Sequence, residues 1–355
     1  MLEGKAYVPL LHLRLAEVRA LRELPESSKN LMIPIVKLRP WLNSKTLDKA
    51  LDTLDEAIGN RLYGLDLDEF KYEAHPDPAK LAKVEFASLF DPTDGYRNYY
   101  DVVESGPNRI PVFRGITDRE PQIEDQLQQV EELERGLFVR ALANQPGAII
   151  NIADAVIQRG LENVVFVVDC GWGPNILTQA ALCSGIVQTL VDLSPTIEIV
   201  VAGSSFPDAF GGLGDRFIIP VNERGLFQEV RRAVNGGELV YGDWGSTRPP
   251  TKPVPMRNVP RIDIAKTASW LSWRSEGGED YEDIANRVLE DAEWDGTLGL
   301  WGEYMIEKTA EGSDGSIKAP AMAAAVRVNL HLHQQAHFSN PDGLHVGDEV
   351  VGDDL

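Results

Sequence analysis

The chain has 355 residues, of which 43% are hydrophobic and 25% are charged, so it can bury one large core or two medium ones. This composition excludes a disulfide-stapled mini-protein and a disordered tail protein. Acidic residues number 55 against 34 basic ones, and the formal net charge of −21 argues against non-specific binding to DNA.

The cysteines and the N-terminal segment indicate where the protein acts. Cys170 and Cys183 lie apart from any His or second Cys pair, which excludes a cysteine zinc site and favours a reducing compartment. Charged residues interrupt the N-terminal segment, and 18 uncharged apolar residues never follow one another. We therefore expect a cytoplasmic protein with no cleaved signal, no membrane span and no membrane partner.

Short runs of β-branched or aromatic residues recur along the chain, each followed by a turn and a helical pattern. The eight runs are Tyr7–His12, Met32–Leu38, Leu62–Leu67, Ile110–Arg114, Leu137–Leu142, Val164–Asp169, Ile197–Ala202 and Leu239–Asp243. Some, such as VVFVV, are apolar on both faces, as a parallel strand covered by helices requires. This α/β pattern predicts a TIM-like (β/α)8 barrel, with an open doubly wound sheet as the alternative.

Chain composition also predicts the limits of the barrel. Two connections, Lys71–Asn108 and the Gly-rich Ser204–Arg216, are longer than a barrel needs, which is typical of its functional end. Five prolines between residues 249 and 260 mark a boundary. We predict the barrel in residues 1–260, a small C-terminal helical appendage in residues 261–340 and an acidic flexible tail in residues 341–355. The helices of the appendage are predicted at Tyr281–Trp294, Leu298–Ala310 and Pro320–Phe338.

Five segments of the sequence resemble the beta protein family, which occurs in bacteria, phage satellites and other mobile elements. They are YVPLLHLRLAEVRAL from Tyr7, PIVKLRPW from Pro34, LYGLDLDEF from Leu62, GDWG from Gly242 and RVNLHLH from Arg327. The resemblance spans nearly the whole chain. It implies association with mobile-element modules that act against phage, in which the protein accompanies a toxic partner. It implies no established catalytic residues.

Charged side chains end most of the predicted strands, and the strand ends of a barrel converge on one pocket. The ring they would form comprises His12, Lys37, Arg39, Asp66, Asp68, Arg114, Arg140, Asp169 and Asp243. Because side chains alternate along a strand, Lys37 and Arg39 share one face of their strand, and Asp66 and Asp68 share one face of theirs, so each pair is expected to point inward together. The alternative is that these charges only form ion pairs with one another.

The three strand-end aspartates Asp66, Asp169 and Asp243 are the candidate catalytic residues, as a general base or as ligands of Mg²⁺. Their separation around the ring argues against all three meeting. We also expect Lys37, Arg114 and Arg140 to share a cleft with Asp169.

The turns after the seventh and eighth runs suit a phosphate group. Gly203-Ser204-Ser205 and Gly242-Asp243-Trp244-Gly245 combine glycines with polar donors, and barrels often bind phosphate after these two strands. The alternative is that these are ordinary turn residues. The candidate residues for binding a phosphate-containing small molecule or nucleotide are His12, Lys37, Arg39, Asp68, Arg114, Arg140, Ser204, Ser205 and Trp244.

A second hypothesis rests on the region Glu276–Trp301. Nine acids and one base, Arg287, lie between residues 276 and 295, close to four tryptophans at positions 270, 273, 294 and 301. This pattern suits a non-catalytic protein that restrains a toxic partner, encoded by a neighbouring gene, through an acidic face. The alternative is a solvated helix above core tryptophans. Zincin, α/β-hydrolase and P-loop motifs are absent from the sequence, which names no reaction.

Overall fold

The computed structural model describes residues 1–116, 122–173, 175–249, 259–275 and 277–345. Most of the proline-rich segment (250–258), the end of the predicted acidic tail (346–355) and Glu276 lie outside the described residues. The chain divides into two compact units. Unit 1 comprises Met1–Leu13, Ile33–Ser205 and Asn222–Trp244, and unit 2 comprises Arg14–Met32, Phe206–Val221 and Gly245–Leu355.

Strands are numbered in chain order through both units. They are β1 (Tyr7–His12), β2 (Ile35–Leu38), β3 (Tyr63–Leu67), β4 (Arg109–Pro111), β5 (Leu137–Leu142), β6 (Val164–Trp172), β7 (Glu198–Ser204), β8 (Arg216–Pro220), β9 (Leu239–Asp243), β10 (Arg261–Ala265) and β11 (Ser269–Arg274).

Helices are numbered in the same way. They are α1 (Leu15–Arg22), α2 (Glu26–Asn30), α3 (Asp48–Ile58), α4 (Leu81–Ser88), α5 (Thr93–Glu104), α6 (Ile123–Leu133), α7 (Pro146–Arg159), α8 (Ile176–Leu193), α9 (Asn222–Ala233), α10 (Tyr281–Leu289), α11 (Trp301–Ala310) and α12 (Pro320–Ala336), with short 3₁₀ turns at Glu69–Lys71 and Pro341–Gly343. Local signals start several of them, such as the Pro146 at the first turn of α7 and the capping box of Asp280 and Asp283 before α10.

Unit 1 contains a barrel. Its eight strands form one parallel sheet in the order β4-β3-β2-β1-β9-β7-β6-β5. The two edges meet where Val112 bridges Phe138 and the amide of Phe113 donates to the carbonyl of Phe138 at 2.8 Å. Helices α3 to α9 belong to the same unit. The (β/α)8 fold is thus confirmed, and all eight predicted runs lie in the sheet.

Side-chain alternation along the strands divides the barrel into an inner and an outer face. Val8, Val167 and Val200 belong to one inner apolar cluster, which also includes Trp244 directly after β9. Residues of the same parity nearer the strand ends, such as Lys37 and Asp66, therefore share the inner face. The interior of the barrel is thus filled by apolar side chains, and polar side chains lie beyond them at the strand ends.

Helix α8 is unusually apolar. Among the described residues it alone is long and apolar enough to cross a membrane, with a mean hydropathy of 1.4, and 33% of it is buried. It packs beside α7 and α9 in unit 1. Core helices of barrels commonly meet the same criterion, so it carries little weight as a membrane signal.

Unit 2 holds the C-terminal helices and a small sheet that the sequence analysis missed. Helices α10, α11 and α12 match the three predicted ones. Strands β10, β11 and β8 form an antiparallel sheet in that order, and Trp270 of β11 pairs with Ile219 of β8. Trp270, Trp273 and Trp301 are 0–4% exposed in the core of this unit. These three tryptophans are therefore core residues, in agreement with the alternative interpretation of the sequence.

Candidate functional site

The centre of the site is Asp66, near the end of β3 on the inner face of the barrel. Three cations surround its buried carboxylate: Nζ of Lys37 at 3.1 Å, Nη1 of Arg114 at 2.6 Å and Nη2 of Arg140 at 3.1 Å. Its Oδ1 also accepts the amide hydrogen of Leu67 at 2.8 Å. Strands β2 and β3 place Lys37 directly beside Asp66 in the parallel register, which explains this pair.

Arg140 of β5 links Asp66 to a second buried acid. Its Nη1 donates to Asp169 of the neighbouring strand β6 at 3.1 Å. The guanidinium lies 5.9 Å from the centre of the Trp244 ring, whose Nε1 donates to Asp169 at 3.3 Å. The imidazole of His12 packs against Trp244, with 5.4 Å between the centres of the two rings.

Glu69 is a member of this network that the sequence analysis did not select. It lies in the 3₁₀ turn after β3, and its side chain is 47% exposed. Its carboxylate accepts a hydrogen bond from Nζ of Lys37 at 2.6 Å and lies 3.8 Å from Nη2 of Arg114. The acid-rich segment of residues 66–69 was the available signal, but a turn residue has no strand parity from which to infer its direction.

Arg114 is held in place from the helical layer. Gln126 of α6 accepts the amide hydrogen of Arg114 at 2.9 Å and donates to its carbonyl at 3.0 Å. The guanidinium lies 5.5 Å from the centre of the Tyr99 ring and 5.6 Å from that of Phe90. Gln126 is therefore a positioning residue that periodicity alone did not reveal.

The charges of the network fix its protonation states. Burial favours the neutral form of Asp66, but Lys37, Arg140 and Arg114 outweigh burial and hold the pKa of Asp66 well below its usual range. Burial also opposes the charged form of Arg140, yet Asp66 and Asp169 raise the pKa of this arginine. The carboxylate of Asp66 is consequently a weak base.

Other predicted site residues form separate contacts. Arg39 lies 3.5 Å from Asp68, which also accepts the amide hydrogen of Phe70 at 3.2 Å. The buried Ser204 accepts the amide hydrogen of Gly173 at its carbonyl.

Ser205, expected to bind a phosphate, already binds an acid of its own unit. Its amide and its hydroxyl each donate to the carboxylate of Glu223 at 2.6 Å. Burial and the nearby charge of Asp243 raise the pKa of Glu223 to about 7. The donors of Ser205 are thus occupied by a carboxylate rather than available to a ligand.

Asp243 does not join the acids of the inner face. Tyr241 donates to it at 2.7 Å and Tyr7 donates to its other oxygen, and Tyr241 packs against Phe227 of α9. The reason is parity, since Asp243 precedes the inward Trp244 by one residue and so faces the helices. The three strand-end aspartates therefore do not meet, and only Asp66 and Asp169 share a partner, Arg140.

These contacts do not suit Mg²⁺. Within the described ranges, no three His, Cys, Asp or Glu side chains come together as a metal site. Asp66 and Asp169 share the guanidinium of Arg140, and a cation bound between them would have to displace this group. The arrangement instead suits an anion that binds cations at the barrel mouth.

Comparison with known proteins gives one family and one relative. The model of the Beta protein family matches residues 7–337. Protein beta of Enterobacteria phage P4 is 28% identical over 364 residues, which cover 99% of this chain and 98% of the phage protein. No solved structure matches the chain.

Proposed function

Because the chain belongs to the Beta protein family, which has a phage-encoded member, we propose that it is a ligand-binding protein of a phage-defence module. The ligand is a small phosphate-bearing molecule, and its anionic group binds Lys37 and Arg114, with Arg140 beside them. The two free cysteines fit a reducing, cytoplasmic location.

The observation that carries this proposal is the unequal exposure of the acids around three cations. Asp66 and Asp169 are 1% and 0% exposed, whereas the side chain of Glu69 is 47% exposed. The buried acids balance two of the three positive charges, and the accessible carboxylate of Glu69 balances the third. A ligand phosphate can take the place of this one carboxylate while the buried pairs remain intact.

Phosphate titrations of two variants test this exchange. Glu69→Gln removes the competing charge, so we expect inorganic phosphate to bind about tenfold more tightly than to the wild type, which corresponds to about 1.4 kcal/mol. The matched control is Glu229→Gln, which removes another partly exposed, ion-paired glutamate of unit 1, bonded to Arg232. Calorimetry gives the dissociation constants. Equal affinities for the Glu69→Gln variant and the wild type would contradict the proposal.

The second candidate function, restraint of a basic partner protein, is supported by the surface of α10 and the turn after it. Glu282, Glu290 and Glu293 are exposed there. Other acids of the region have partners within unit 2, as Asp291 has in Arg216 and Asp295 in Lys266. Trp270, Trp273 and Trp301 are buried and Trp294 is partly buried, which leaves the acids as the main contact for a partner.

A further inference from the structure

We propose that unit 2 holds a ligand site of its own, a pocket of about 550 Å³ that takes a nucleotide-sized phosphate ester. Every residue that lines this pocket belongs to unit 2. The inference does not depend on the ion pairs around Asp66.

The chain segments around the pocket give the first argument. Residues 14–17 follow β1, residues 206–210 follow β7 and residues 247–249 follow β9, the eighth strand of the barrel. Loops after the seventh and eighth strands are the usual phosphate-binding segments of this fold. The lining residues lie a few positions downstream of the Ser204, Ser205 and Trp244 that the sequence suggested.

Three arginines supply the positive charge, in a chain whose net charge is −21. Arg327 is 8% exposed and is fixed by a 2.7 Å hydrogen bond to Asp263 and by the Phe206 ring, 4.3 Å from its guanidinium. Arg14 has a side chain that is 42% exposed and lies 3.8 Å from the carboxylate of Glu17, and Arg248 lies on the same lining. A guanidinium group presents paired donors that match phosphate oxygens.

Two helices direct their first turns at the same pocket. Leu15 and Ala16 open α1, and Pro320 and Ala321 open the 17-residue α12. No side chain caps the first turn of α1 or of α12 by a hydrogen bond at its N-cap. Their partial positive charge adds to that of the arginines and favours an anion.

The rest of the lining indicates what the phosphate is attached to. Phe206 and Phe210 contribute aromatic rings, and Pro207, Pro249 and Val328 contribute apolar surface. The carboxylates of Glu17 and Asp208 can accept hydrogen bonds from hydroxyl or amino groups. The ligand therefore combines a phosphate, a planar apolar body and hydrogen-bond donors, and a nucleoside monophosphate has all three. Its size also suits the volume better than inorganic phosphate does.

Calorimetric titration with adenosine monophosphate (AMP), adenosine and inorganic phosphate tests the site. We expect AMP to bind more tightly than the other two, because only AMP uses both the arginines and the apolar wall. Arg14→Ala and Arg248→Ala should each weaken AMP binding about tenfold. Ala324→Leu keeps every charge but fills the pocket from α12, and should also weaken AMP binding. Arg327 is left intact because its burial and its bond to Asp263 tie it to folding.

Arg232→Ala is the control, since it removes an arginine that is 68% exposed in unit 1. AMP binding to this variant should match the wild type. If the Arg14, Arg248 and Ala324 variants bind AMP with wild-type affinity, AMP does not bind in this pocket and the inference is wrong. Equal affinity of the wild type for AMP and inorganic phosphate would also contradict it. If Glu69→Gln tightens AMP binding while the three pocket variants bind normally, the ligand occupies the barrel and only the pocket inference fails.

Discussion

At the residue scale, buried charges in unit 1 are tolerated only where partners surround them. Asp66 is 1% exposed and forms ion pairs with Lys37, Arg114 and Arg140, which offset the cost of burying its charge. Glu223, whose carboxylate accepts hydrogen bonds from the hydroxyl and the amide of Ser205, keeps its proton to a higher pH because it is buried and lies near the charge of Asp243. The same burial thus has opposite consequences for these two acids.

Asp66→Asn should destabilise unit 1 strongly. The change leaves three cations without their shared buried anion, and we expect a loss of about 3–5 kcal/mol in the free energy of unfolding. The control Asp101→Asn breaks an exposed pair with Arg97 and should cost less than about 1 kcal/mol. Urea denaturation measures both, and similar small losses would show that the network adds nothing to folding.

Glu223→Gln should change how stability depends on pH. The pKa of Glu223 is about 7 in the folded protein against a usual 4.5, so the folded state holds the proton to higher pH than the unfolded chain does. This carboxyl therefore contributes stability fully below about pH 4.5 and loses it as the pH rises through about 7, by up to about 3 kcal/mol. Glutamine keeps partners for Ser205 but cannot titrate. We expect the variant to lose less stability than the wild type between pH 5 and 8, and parallel profiles would contradict the assignment.

At the scale of elements, the sequence predicted the eight barrel strands because their apolar runs are buried on both faces. Alternation also placed Lys37 and Asp66 correctly on the inner face. Asp243 was selected only because it ends a strand, and parity turns it toward the helices instead. Strand β8 was missed because it pairs with β11, about fifty residues further along the chain, and a short run carries no sign of such a distant partner.

Gly64 allows neighbouring barrel strands to pack closely, so Gly64→Ala should destabilise the barrel. A Cβ at Gly64 would lie 2.9 Å from Ile35 and 3.0 Å from Phe138 in the barrel core. We expect a loss of about 1–3 kcal/mol in the free energy of unfolding. Gly185→Ala is the control, because a Cβ there meets nothing within 4 Å on α8, and alanine should stabilise this helix by about 0.5–1 kcal/mol. Equal effects in a thermal denaturation series would contradict the packing argument.

At the scale of the whole molecule, charge decides which partners can approach. A formal net charge of −21 repels acidic macromolecules and attracts basic ones, whereas a small anion responds to the local cations of its site. The candidate ligand and the candidate basic partner are therefore compatible with the same molecule.

Reversal of Glu282, Glu290 and Glu293 to lysine tests the acidic face, and leaves the helix-capping Asp280 and Asp283 in place. We expect slower association with the product of a neighbouring gene, because steering depends on these charges and weakens as salt rises. The control reverses three exposed acids of unit 1, Asp52, Glu56 and Glu132. Surface plasmon resonance at low salt gives the rates, and equal rates for the two triple variants would exclude this face as the docking surface.

The most direct test of the central claim is the electron density of Glu69→Gln crystals grown with inorganic phosphate. We expect a tetrahedral peak within hydrogen-bonding distance of Nζ of Lys37 and of the Arg114 guanidinium, in the place of the Glu69 carboxylate, with the ion pairs of Asp66 unchanged. Density for water alone at this position, in crystals saturated with phosphate, would contradict it.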